Sequence, residues 1–269
     1  MTGIRRKQFV HYLDLTFPTP AENLACDEAL LDGCDAGAGP EVLRFWEPQQ
    51  YFIVVGYSNR VAREVNVDAC KRLGIPILRR CSGGGAVLQG PGWLNYSLVL
   101  RIDFNPALHT VTGASRFVLE QNRAALEKLL TRSSRREEAL SSDSALPTPY
   151  SALAACGHTD LALGGLKFSG NAQRRKRRAV LLHGTFLLNF ELALVSELLP
   201  MPSKQPEYRR GRSHGEFLRN LKAPAGAVKA ALRQAWRADE LLTAQPREAI
   251  QALVTEKYAA QAWNWRTGA

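Results

Sequence analysis

Four short runs carry the residues best suited to chemistry. The first is Arg79-Arg80-Cys81-Ser82-Gly83-Gly84-Gly85-Ala86-Val87, followed by Leu88, with three consecutive glycines beside two arginines. Glycines in series let a backbone approach a ligand closely, most simply a phosphate that accepts amide N–H bonds. A plain glycine-rich turn fits the same spacing. No Gly-Lys-Ser/Thr follows, so this is not a Walker A loop, and Leu88 stands where a dinucleotide loop needs Gly or Ala. Ser82 lacks the upstream glycine of a nucleophile elbow, because position 80 is arginine. The second run, Gly165-Leu166-Lys167-Phe168-Ser169-Gly170-Asn171-Ala172-Gln173, puts one lysine on a short strand, either a solvated side chain or a fixed cation. The third, His183-Gly184-Thr185, embeds a histidine in apolar sequence, as a satisfied core residue or as a catalyst. The fourth, Arg174-Arg175-Lys176-Arg177-Arg178, has no interleaved aromatics, which argues against nucleic-acid binding.

The 269 residues carry a formal charge of +10, of which the run 174–178 holds +5. Residues 204–222 add six basic against two acidic side chains, so the basicity is local. A local excess of this kind points to an anionic partner rather than to the fold. The five cysteines, Cys26, Cys34, Cys70, Cys81 and Cys156, are odd in number and lack C-x-x-C spacing, which excludes a disulfide framework and a zinc knuckle. The N-terminal segment has no signal-peptide pattern, and no apolar stretch approaches the roughly 18 residues of a membrane span. A reducing, cytoplasmic setting is expected.

These runs need elements to hold them. Thr19-Pro20-Ala21-Glu22 reads as a capping box opening a helix to about Asp32. Val42–Trp46 and Tyr51–Val55 read as buried strands, Asn66 caps a short helix ending before Gly74, and Pro76–Arg79 and Trp93–Leu100 resume as strands. The pattern predicts a helix from about Thr110 to Leu130, with Val111, Ala114, Val118, Ala125 and Leu129 near one face. Residues 131–151 read as a variable loop. Leu161–Leu163, a Gly164-Gly165 turn and Leu166–Phe168 form a hairpin, and Val180–Phe190 a long buried strand. Helices are expected over Glu191–Leu199, about 213–220, 225–238 and 247–261. The sum is α/β (α+β): one domain over 1–269 with a mixed sheet flanked by helices.

Taken together, the motifs resemble the catalytic domain of lipoate–protein ligase A, within the biotin/lipoate ligase and octanoyltransferase superfamily. They are Arg79–Val87 followed by Leu94-Asn95-Tyr96-Ser97, then Lys167–Gln173, then His183-Gly184-Thr185. Asn23-Leu24-Ala25-Cys26-Asp27-Glu28-Ala29-Leu30, Leu43-Arg44-Phe45-Trp46 and Glu64-Val65-Asn66-Val67 support it, and the likeness runs from about residue 12 to 265. It implies a fold akin to the class II aminoacyl-tRNA synthetase core and chemistry on lipoyl-AMP formed from lipoate, ATP and Mg2+. Arg80 and the amides of Gly85, Ala86, Val87 and Leu88 would hold the adenylate. Lys167 would bridge phosphate and acyl carbonyl as the catalytic cation. Ser82, Gly83, Gly84, Ser169, Gly170, His183 and Gly184 would line the acyl pocket, with strands 51–55 and 180–188 as its walls. The resemblance implies no protein-bound metal, and acidic lipoyl-domain or carrier proteins as acceptors, docked by the basic segments. It implies neither nucleic acid nor membrane as partner.

Three departures qualify the likeness. Gln89-Gly90-Pro91-Gly92 is similar to the His-Gly-Pro-Gly of octanoyltransferases rather than to the ligase pattern. Octanoyltransferases and amidotransferases act through a cysteine thioester. No cysteine follows His183, while Cys156 precedes the hairpin, a few residues closer to Lys167 than the amidotransferase position. The adenylate route is therefore the first expectation and a Cys156 thioester the alternative. The C-terminal accessory domain of many ligases is also absent, so a separate subunit or a preformed activated donor is expected to supply its role.

Overall fold

Thr19 opens the first helix as the pattern predicts. Its side chain accepts from Glu22 N while Glu22 caps the Thr19 backbone, and Pro20 occupies the first turn. In the computed structural model, which describes residues 10–138 and 153–266, this helix α1 spans Pro20–Ala36, past the expected end at Asp32, and stops at Gly37 in the left-handed region. It is buried nearly all round, which explains how a helix with little amphipathic contrast is stable here.

Before α1 lies β1 (Val10–Asp14), and after it come β2 (Glu41–Trp46) and β3 (Phe52–Val55). Short helices α2 (Val61–Glu64) and α3 (Val67–Arg72) follow, with Asn66 accepting from Ala69 N as the cap of α3. β4 (Ile77–Arg79), β5 (Val87–Gln89) and β6 (Trp93–Arg101) bracket the glycine run. The long helix α4 covers Val111–Glu138. Next are β7 (Leu153–Cys156), β8 (Asp160–Leu163), β9 (Leu166–Arg175) and β10 (Ala179–Leu187). The chain then passes through α5 (Ala193–Leu198), α6 (His214–Phe217), α7 (Ala225–Trp236), β11 (Glu240–Leu241), α8 (Arg247–Leu253) and α9 (Gln261–Asn264).

Among the described residues, one sheet has the order β11-β1-β2-β6-β10-β9-β8-β7 and a smaller one the order β4-β3-β5. β1 runs parallel to β2 and β11, and the remaining pairs of the large sheet are antiparallel. The mixed sheet flanked by helices is the expected class. Alternate residues of β10 go to opposite layers: Val180, Leu182 and Phe186 join the core under α4 and α7, while Ala179 and Leu181 join the core under α1. His183 follows the α1 face, opposite Ser97 of β6 and Ala172 of β9.

Several expectations change. Helix α4 continues to Glu138, so the first part of the 131–151 loop is helical, and 139–152 lie outside the described residues. Val111 is exposed at the helix start, whereas Ala114, Val118 and Ala125 are buried. α5 and α6 are shorter than their sequence spans, and 247–261 breaks into α8, a π turn and the start of α9. The fourth run is no free loop. Arg174 and Arg175 belong to β9, Lys176 pairs with Asp32, and Arg178 N and Ala179 N donate to Asp35 Oδ1. No described helix is long and apolar enough to cross a membrane.

Candidate functional site

A cavity of about 1250 Å³ opens between the glycine run, the β8–β9 hairpin, β10 and the segment before α6. Its wall includes Arg80, Gly83, Gly84, Gly85, Ala86, Val87, Leu88, Lys167, Ser169, Gly170, His183 and Gly184, so three of the four runs converge. Ser82 lies just behind that wall. Apolar groups from both expected walls, Val54 of β3 and Leu187 of β10, join Leu24 and Trp46 in the lining. Such a mix of apolar wall and few convergent polar groups suits an acyl chain with one reactive end.

The two arginines of the glycine run divide their work. Arg79 is fully buried and its guanidinium donates to the carbonyls of Gly56, Tyr57, Asn59, Trp263, Asn264 and Arg266, bracing the loop after β3 against the C-terminal segment. Arg80 lies beneath the loop. Its Nη2 donates to Gly83 O at 2.6 Å and Gly85 O at 2.9 Å, and its Nε to Ser82 Oγ at 3.1 Å. Burial lowers its pKa to about 10, still charged at neutral pH. The loop is thus wound around an internal cation, and Gly84 takes the left-handed φ of 91° that this winding requires.

The second run sits at the other end. Lys167 Nζ lies 2.8 Å from Asp160 Oδ1, and Tyr208 Oη donates to Asp160 Oδ2 at 2.7 Å. Burial, and then the Asp160 charge, push the Tyr208 hydroxyl up, so it remains a donor. Gly170 is small for a visible reason, since a Cβ there would stand 3.0 Å from Lys167 Cε and Nζ. Cys156 on β7 pairs in register with Asp160 on β8 and lines the same cavity. The other four cysteines are buried away from solvent. Burial, and then the Asp160 charge, raise the Cys156 thiol above its ordinary value.

His183 ties the glycine run to helix α1. Its Nε2 is 2.5 Å from Ser82 Oγ and its Nδ1 is 3.3 Å from Asp27 Oδ2. Asp27 also accepts from Arg44 Nη1 at 2.5 Å and Ser97 Oγ at 2.6 Å. Burial works to raise the Asp27 carboxyl, but Arg44, His183 and Ser97 outweigh it and hold the group below its usual value. The arrangement has the order of a Ser-His-Asp triad. Ser82 is 1% exposed and behind the cavity wall, so it is a link in a hydrogen-bond chain and not a nucleophile.

The sequence motifs contain Asp27, Arg44 and Ser97 but gave them no role, and nothing in the sequence singled out Asp160 and Tyr208. The available signal was the i, i+4 pair Asn23 and Asp27 on a helix otherwise made for the core, since both side chains converge on Arg44. Among the described residues no group of three or more His, Cys, Asp or Glu converges as a metal site.

By comparison with known proteins, the chain falls in the class of lipoate ligases and acyltransferases. The model of the lipoyl protein ligase A/B catalytic domain matches residues 19–237, and the chain belongs to that family. It is similar to octanoyltransferase LipM of Geobacillus kaustophilus, 29% identical over 97% of this chain and 99% of that protein. The LipM of Kyrpidia tusciae is 30% identical over 91% and 94%. Among solved structures, the bi-partite lipoate protein ligase of Thermoplasma acidophilum superposes with a TM-score of 0.75 at 24% identity, covering 97% of each chain. A lipoate-protein ligase A bound with ATP superposes at 0.71, also at 24% identity, covering 97% of this chain and all of that one. The structural likenesses establish the fold.

A small substitution probes the lysine end. Gly170→Ala leaves the backbone unstrained but pushes the Lys167 ammonium aside by a few tenths of an ångström. With Lys167 as the expected catalytic cation, we expect a turnover loss of about tenfold from its misplacement, with an unchanged melting temperature. Single-turnover acyl transfer beside a thermal melt checks it.

Proposed function

We propose that the protein is an octanoyl or lipoyl transferase that moves an acyl group from a thioester donor to a lysine of an acceptor lipoyl domain, by way of Cys156. The observation that carries this reading is the register of the β7–β8 pair. It sets the cysteine of the cavity wall opposite Asp160, the carboxylate that anchors Lys167. The two nearly full-length relatives named above are octanoyltransferases, which supports the same class.

The atoms balance without an external energy source. The Cys156 thiol attacks the donor carbonyl, and the donor sulfur leaves with the proton. The acceptor's ε-amine then attacks the Cys156 thioester, an amide forms, and the amine proton returns to sulfur. Lys167 supplies the positive charge that the thiolate and each oxyanion need, and the free amides of the glycine loop offer a second anion-binding surface.

The earlier expectation of an ATP-dependent ligase remains the second reading, because the same loop amides suit a phosphate. ATP and Mg2+ would then be substrates held by the loop and Lys167. The acceptor's acidic surface is assigned to the cavity side that carries Lys204, with exposed Arg210 next to the lining residue Arg209. Arg174, next to the lining residue Gln173, packs over the Tyr57 ring. Five unpaired cysteines fit a reducing, cytoplasmic setting.

The test offers the protein an apo lipoyl domain with octanoyl-pantetheine or an octanoylated acyl carrier protein, and in parallel with octanoate or lipoate plus Mg-ATP. The expected result is octanoylated domain by intact mass in the thioester arms without nucleotide. Product only in the ATP arm would replace this reading with the ligase.

A further inference from the structure

The chain through His183 has a fixed direction. An arginine guanidinium only donates hydrogen bonds, so Ser82 Oγ accepts from Arg80 Nε. In the neutral ring, whose Nδ1 faces the accept-only Asp27 carboxylate, Nε2 is left to accept the Ser82 hydrogen. The imidazole proton sits on Nδ1 and is donated to Asp27 Oδ2. The Asp27 carboxylate, held ionised by Arg44, only accepts. With an arginine at each end, it is this accept-only carboxylate that places the protons between them.

The outward end sets the loop. Arg80 draws the carbonyls of Gly83 and Gly85 inward. In a trans peptide the following N–H points the opposite way, so the amides of Gly84 and Ala86 face away from Arg80. Among the described residues, no hydrogen bond uses either amide as donor. Both residues line the cavity.

We propose that Asp27 is a positioning residue for the glycine loop. Through His183 and Ser82 it fixes Arg80, and so aims the Gly84 and Ala86 amides at the oxyanion or phosphate of the acyl donor. The arginine expected to hold the ligand itself acts on it through the backbone. The kinetic readout rests on the acyl-transfer reading, while the spectroscopic one does not, so the two fail separately.

The experiment uses the full chain labelled with 15N-histidine. In the wild type near pH 7.5, the His183 ring is expected to show a protonated Nδ1 and an unprotonated Nε2. Asp27→Asn should mix or invert the tautomers, whereas Ser82→Ala should preserve them. Each variant should lose about 10- to 100-fold in kcat, the scale of a misplaced reacting geometry, with KM for the acceptor domain unchanged. The double variant should be no worse than the poorer single one, because both cut one chain. A wild-type Nε2–H tautomer, multiplicative losses in the double variant, or full kcat in folded Ser82→Ala would overturn the proposal. Should Asp27→Asn fail to fold, leaving Arg44 buried without its anion, the wild-type tautomer and the Ser82→Ala arm decide.

Discussion

Lys167→Ala is expected to lower the rate of acyl transfer to the acceptor by about two to three orders of magnitude, the scale for losing one oxyanion donor from a water-poor site. The lysine is fixed on three sides. Its ammonium lies on Asp160, its aliphatic end passes over Gly170, and its carbonyl accepts from Arg219 N at 2.9 Å. A cation held this way needs no reorganisation when negative charge develops beside it. Removing it also leaves Asp160 buried with Tyr208 and Thr159 as donors but no opposing charge. Stability should therefore fall as well, and the comparison that separates the two effects is Lys167→Arg. Arginine keeps the charge and the Asp160 pair but cannot place one ammonium over Gly170, so it should rescue the melting temperature and little of the rate. Equal rescue of both would mean that Lys167 serves only to neutralise Asp160. Single-turnover rates with intact-mass detection, beside thermal melts of the same samples, make the distinction.

What the sequence made legible follows from locality. The helix cap at Thr19, the Asn66 cap, the Gly164-Gly165 turn and the apolar run of β10 are each written in neighbouring residues, and each appears where expected. β7 is a four-residue edge strand of small side chains, Leu153-Ala-Ala-Cys156, with no alternation to announce it. β5 is three residues beside a glycine loop, and its pairing with β3 exists only in the fold. The same holds for the site. Lys167 and His183 stood out as polar residues in strand-like runs. Asp160 and Asp27 did not, because a buried carboxylate means something only once its partner is known. Arg44 comes from a strand 17 residues away in sequence, and Lys167 from across a hairpin.

The separation of thioester from adenylate chemistry rests on Cys156→Ser. With a thioester donor, the variant is expected to lose acceptor modification by at least about a thousandfold, because a serine hydroxyl keeps its proton far above neutral pH and is a much weaker nucleophile than a thiolate. In the wild type, quenching before the acceptor is added should trap an octanoyl group on a peptide containing Cys156. The pH dependence follows from its surroundings. Burial and the Asp160 charge raise the thiol, so the thiolate is scarce at neutral pH. The donor-acylation rate should climb through and beyond the usual thiol range near about 8.5. Iodoacetamide should label Cys156 slowly at pH 7 and faster with each added unit, while Cys26 and Cys81, pushed by burial to about 11 and about 12, stay unlabelled in the folded protein. Stability has the opposite sense. Each raised thiol keeps its proton in the folded state while the unfolded chain loses it above about 8.5, so stability is full below that pH and falls as pH rises. Faster acylation and lower stability above pH 8.5 should therefore appear together in the wild type, and only the acylation limb should vanish in Cys156→Ser. Unchanged transfer by the variant would remove the cysteine from the mechanism and return the reaction to an activated donor attacked directly by the acceptor lysine.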